Sequence, residues 1–242
     1  MTASPVAPVE IAGAAGVVLH GQRWAGSGAW VVLLHDRGDD VDLDCWQPLA
    51  PHLAARDWTV LAVDLRGHGA SGGTWDPELV AEDVAAVVAF ARSEGAGFLA
   101  IVAAGASVPI VLSGAGATRP DALVLLSPTP GPDDEMANMR GAGEPKLFVV
   151  GSGDEEAREA AERLHHAAIG WGVLIRLPTV EQGAALLGGG VAAQAREHII
   201  GFLAEQRFLA GRRSGSPRGA VRSQPGAKSA AGTDAEQRSD HE

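Results

Sequence analysis

Short apolar runs recur along this chain, and most are followed by a stretch with helical spacing. Val31-Val32-Leu33-Leu34, Thr59 to Leu65, Phe98 to Ala103, Ala122 to Leu126, Lys146 to Val150 and Val173 to Leu177 are the clearest. Strands buried on both faces read this way, so the pattern predicts an α/β fold with a mostly parallel sheet covered on both sides. Between the runs, Trp46, Leu49 and Leu53 share one helical face, and Pro77 suits the first turn of a helix carrying Val80, Val84, Val87 and Val88. Further helices are expected from the turn after Ala103 to about Ala117, from Glu155 to Ile169, and from Val191 to Leu209. Residues 8–12 and 16–24 read as an N-terminal hairpin.

One domain is expected over residues 1–210, and a hydrophobic content of 46% is ample for its core. Residues 211–242 are rich in Gly, Ser, Arg and Ala and hold almost no large apolar side chain. Burial there does not offset ordering entropy, so a disordered C-terminal tail is predicted. Formal net charge is −11, and the acidic excess lies in the domain rather than the tail. Such a surface repels phosphate backbones and anionic lipid, which argues against nucleic acid and membranes as partners. Residues 95–118 carry no charge, yet Pro109 and several glycines fit a strand, a turn and a packed helix better than a bilayer span. Met1 to Glu10 has neither a basic segment nor an apolar core, so no signal peptide is expected. The single Cys45 excludes an internal disulfide. A cytoplasmic location is the resulting expectation.

Two cofactor patterns fail on inspection. Asp40, Asp42 and Asp44 open like a calcium loop, but Cys45 and Pro51 stand where glycine and glutamate are required. Gly67-His68-Gly69-Ala70-Ser71-Gly72 has the form of a dinucleotide fingerprint, but not its place on a first strand-helix unit. No cofactor and no metal are expected.

Two stretches carry a resemblance. Val31-Val32-Leu33-Leu34-His35-Asp36-Arg37-Gly38 is followed by Asp64-Leu65-Arg66-Gly67-His68-Gly69-Ala70-Ser71. Their order resembles the α/β-hydrolase superfamily, and the likeness extends through Leu123 to Pro128 and Lys146 to Asp154. It implies a sheet of about eight strands with helices on both faces. The polar stretch 128–144 offers no apolar run for a lid, so no substantial cap domain is expected.

The same resemblance locates a serine nucleophile, an acid and a histidine base. Asp154 stands at the acid position, where it also suits the N-cap of the next helix. Gly105-Ala106-Ser107-Val108-Pro109 allows two registers at the nucleophile turn. One puts Ser107 at the apex, with Val108 supplying an oxyanion donor. The other puts Gly105 there, between the small residues Ala103 and Ser107, and satisfies more of the pattern. His35 and Asp36 occupy the second oxyanion loop, where the family has glycine after the histidine. A carboxylate there opposes developing negative charge.

Gln182 stands at the base position. A carboxamide does not titrate near neutrality, so it takes no proton from a serine. None of the histidines stands in that position, and the titratable neighbour is Glu181. The resemblance therefore implies a degenerate hydrolase, a pseudoenzyme binding a small ester or acyl ligand or a protein partner at the former active-site face. The alternative is a working serine carboxylic-ester hydrolase using Ser107 and Asp154 with a non-standard base.

Overall fold

The computed structural model describes residues 5–129 and 142–215. Its eight strands are β1 (Val6–Ala12), β2 (Val18–Trp24), β3 (Ala29–Leu34), β4 (Thr59–Val63), β5 (Phe98–Ala104), β6 (Ala122–Leu126), β7 (Lys146–Gly151) and β8 (Gly172–Leu177). They form one sheet in the order β1-β2-β4-β3-β5-β6-β7-β8. β1 and β2 pair antiparallel, as do β2 and β4, and all later pairs are parallel.

Alternation within each central strand sends side chains to two cores. Val32, Leu34, Leu61, Val63, Leu99, Ile101 and Phe148 pack with helices α2 (Pro77–Ser93), α3 (Ser107–Thr118) and α4 (Glu155–Ala167). Val31, Leu33, Val60, Ala62, Val102, Leu126 and Val149 pack with α1 (Ala50–Ala54) and α5 (Ala192–Gly215) on the other face. Each valine or leucine buried this way contributes about 1.5–3 kcal/mol. Asp76 caps α2 through the amides of Glu78 and Leu79, with Pro77 in the first turn as its fixed φ favours.

Strand register decides where the functional loops meet. Leu34 lies opposite both Val63 and Ala103, Ala104 opposite Leu126, and Gly151 opposite Leu177. The loops after β3, β4, β5, β6, β7 and β8 therefore leave from one edge of the sheet, where open α/β sheets place their ligands.

Two helices depart from expectation. The segment Trp46 to Arg56 is split into a 3-10 turn at Leu43–Trp46 and the short α1, because Pro51 belongs to a first helical turn and α1 starts at Ala50. The closing helix runs to Gly215 rather than stopping near Leu209, with Arg212 lying over the Phe208 ring at 5.7 Å. Of the expected tail, residues 216–242 lie outside the described residues, as do 130–141 of the stretch after β6. No cap element occurs among the described residues between β6 and β7. No described helix is long and apolar enough to cross a membrane.

Candidate functional site

β5 ends at Ala104, and the chain reverses into α3 through Gly105 and Ala106. Gly105 has φ +52, a left-handed value that side chains resist and glycine adopts freely. Its N–H donates to the Leu126 carbonyl and its carbonyl accepts from Val108. The strained turn thus falls on Gly105, while Ser107 is the first residue of α3.

Ser107 is fully buried, and its hydroxyl donates to the backbone carbonyl of His35. It ties α3 to the end of β3. Val108 is buried too, and its N–H is already used by Gly105. In the Ser107 register that amide was the expected oxyanion donor; here it closes the turn.

Asp36 is the side chain that fills the turn. Its Oδ1 accepts from the N–H of Ala106 at 2.7 Å and from the N–H of Arg37 at 2.7 Å. A Cβ built on Gly105 would fall inside the Asp36 carboxylate. The same carboxylate reaches the loop after β8, since a Cβ on Gly183 would lie 3.8 Å from Asp36 Oδ2 and 3.6 Å from Ala104 Cβ. Three loops converge on one carboxylate.

His35 beside it is buried and fully committed. Its Nε2 accepts from the Leu65 N–H at 2.9 Å, so Nδ1 carries the proton and donates to the Asp36 carbonyl at 2.6 Å. Burial holds its pKa below the ordinary value, with the backbone hydrogen bond to Asp36 opposing. His68 is used the same way, accepting from Gly38 and donating to the Arg66 carbonyl. The motif around it is structural. Asp64 accepts from Leu43 and Ala70, and Arg66 makes a two-pronged buried pair with Asp83 at 2.7 and 3.0 Å.

Asp154 caps α4, its Oδ1 accepting from Ala157 at 3.2 Å. Its Oδ2 is buried without a hydrogen-bond partner. A buried carboxylate oxygen left unpaired is costly, and here it faces no donor. Gln182 is exposed and precedes a short 3-10 turn, with no capping bond from its side chain. Glu181 is exposed as well, its amide held by the Thr179 hydroxyl.

Among the described residues no imidazole is hydrogen-bonded to Ser107 or Asp154. His165 faces the Gly172 carbonyl, His20 lies 4.0 Å from Glu10, and His52, His166 and His198 are exposed on helices. His241 is outside the described residues. Cys45 offers no substitute nucleophile, because burial and then the Asp42, Asp36 and Asp44 charges push its thiol up to about 12. The described residues contain no cluster of metal-ligating side chains.

Two features escape a reading of the sequence. Whether the Asp36 carboxylate turns into or away from the elbow depends on an amide seventy positions later. Ser127, at the end of β6, has φ +42 and a buried, unpartnered Oγ. The following Pro128 is a visible signal of backbone restriction there, though not of that conformation.

Residues 27–151, just over half of the chain, match the family described as serine aminopeptidase, S33. No curated protein matches the sequence. Among solved structures, an esterase from Pyrococcus furiosus is 18% identical with a TM-score of 0.68, over 84% of this chain and 90% of its own. A serine hydrolase without lid from Xanthomonas campestris is 17% identical with a TM-score of 0.67, over 87% and 97%. Est1E from Butyrivibrio proteoclasticus, solved with ferulic acid bound, is 16% identical with a TM-score of 0.71, over 83% and 99%. At such identities these likenesses speak for the fold alone. With its eight-stranded sheet, its strand-to-helix turn and its matched family, the chain belongs to the α/β-hydrolase superfamily, in the serine aminopeptidase S33 family.

Proposed function

We propose that this chain is a catalytically degenerate hydrolase that binds at its former active-site face without turning a substrate over. One observation carries the reading: the Asp36 carboxylate stands in the space of the elbow side chain and accepts the Ala106 N–H. Acyl transfer needs that amide free to meet an oxyanion. A fixed negative charge in its place raises the barrier that such donors lower. Gly105 supplies no nucleophile, and Gln182 supplies no base. The orphaned Oδ2 of Asp154 is what remains of an acid whose imidazole partner is missing.

The Ser107 hydroxyl supports no competing reading, because it is buried and already donating to His35. The loop-bearing edge of the sheet suits a small ester or acyl ligand, or a partner surface, that does not depend on turnover.

The test compares hydrolysis of a short-chain nitrophenyl ester by the wild type and by Ser107→Ala, with phenyl acetate binding followed by ligand-observed NMR. Equal background rates together with detectable binding are expected. Turnover that disappears in Ser107→Ala overturns the reading, and absence of both turnover and binding removes its binding half.

A further inference from the structure

A groove of about 640 Å³ opens at the opposite edge of the sheet, lined by Pro145, Trp171, Glu205, Gln206, Leu209, Arg212 and Arg213. Pro145 and Trp171 immediately precede β7 and β8, so this groove and the elbow lie at opposite ends of the strands. Its volume falls in the range of small-molecule sites.

Its lining is chemically specific. Trp171 is 49% exposed and stacks on Phe202 with ring planes 6° apart, a flat apolar platform held from beneath. Leu209 is 40% exposed beside it. Gln206 is only 2% exposed, yet its Nε2 has no hydrogen-bond partner. A buried amide donor without an acceptor is costly and rare in a folded protein. Arg212 and Arg213 stand at the rim, exposed and without a carboxylate partner among the described residues, whereas nearby Arg207 pairs with Asp57. Both occur on a chain whose net charge is −11.

A platform for a ring, a buried donor lacking an acceptor and two guanidiniums without a carboxylate partner among the described residues, that of Arg212 lying over the Phe208 ring, call for one kind of ligand. We propose that this groove binds a small aromatic carboxylate, its ring on Trp171 and its oxygens taken by Gln206 and the Arg212–Arg213 pair. Guanidiniums bind carboxylates in forked geometry, and stacking on an exposed indole adds apolar contact. The single carboxylate of Glu205 on the lining favours a monoanion over a more highly charged ligand.

Isothermal titration calorimetry on the full chain tests this with naphthoate and its uncharged counterpart naphthylmethanol. Naphthoate is expected to bind about tenfold more tightly, as the loss of a charged hydrogen bond implies. Arg212→Gln with Arg213→Gln, and separately Gln206→Leu, each weaken naphthoate by about tenfold. Gln206→Leu replaces an unpaired buried amide with a side chain of similar length, so its thermal midpoint holds and the loss is one of binding. Asp36→Asn, at the other end of the sheet, leaves the affinity unchanged. Equal affinity for the two probes, wild-type affinity in the groove variants, absence of heat with naphthoate, or loss only in Asp36→Asn overturns the proposal.

Discussion

The carboxylate of Asp36 accepts the N–H of Ala106 across a 2.7 Å hydrogen bond, joining the loop after β3 to the turn after β5. In a hydrolase of this fold that amide faces the reacting carbonyl. Here it is occupied by the protein's own charge, and the absence of a side chain on Gly105 is what leaves room for it.

Asp36 and Gly105 should therefore depend on each other. Gly105→Ser alone introduces a side chain at φ +52 and drives it into the carboxylate. It should destabilise by about 2–4 kcal/mol. Asp36→Gly alone removes the acceptor of two amides and should cost about 1–3 kcal/mol. The double variant should be more stable than the sum of the two, with a coupling of about 1–3 kcal/mol. Urea denaturation of the four proteins measures it, and strict additivity would contradict the fit between these residues.

Gln182→His by itself should give no esterase activity, because Gly105 at the turn has no side chain and the Ala106 N–H is already bonded to Asp36. Combined with Gly105→Ser and Asp36→Gly, it should raise nitrophenyl ester hydrolysis by about 10²-fold or more over the double variant. The buried Oδ2 of Asp154 is then available to orient the new imidazole. A gain in the single variant would show that another side chain already serves as nucleophile.

The pair Arg66–Asp83 holds the turn after β4 against α2, with Arg66 3% and Asp83 0% exposed. Asp83 also accepts from the amide of Ala14. Asp83→Ala strands a buried guanidinium and should cost about 3–5 kcal/mol. A loss of unfolding free energy in urea smaller than about 1 kcal/mol would mean that water reaches this pair.

Stability should fall as pH drops through the ordinary histidine value of 6.5, because His35 is held neutral by burial and its folded pKa lies lower. Below 6.5 the unfolded chain takes up a proton that the fold refuses. The loss grows until the folded pKa is reached, and it is absent above 6.5. Denaturation curves of wild type and His35→Asn across this range check it. The variant should be less stable above 6.5 and show a shallower slope below.

Much of the fold was legible because the central strands are buried on both faces. Ala122–Leu126 has no polar residue to blur its ends, and β3, β4, β5, β7 and β8 fall within a residue or two of expectation. The turn at Gly105 was one of two registers, and the small side chains of Ala103 and Ser107 favoured it. Gln182 was visible through its place after the last strand. The direction of Asp36 was not, since a rotamer that reaches a distant amide leaves no periodic trace in the sequence. Nor was the extension of α5 past Leu209, where composition argued for a tail while Arg212 packs one turn back on Phe208.

Fluorophosphonate labelling followed by intact-mass and peptide analysis asks most directly whether any hydroxyl at this elbow is activated. The account predicts no adduct on Ser107 under conditions that label a working serine hydrolase fully. A stoichiometric adduct on Ser107, lost in Ser107→Ala, would contradict it.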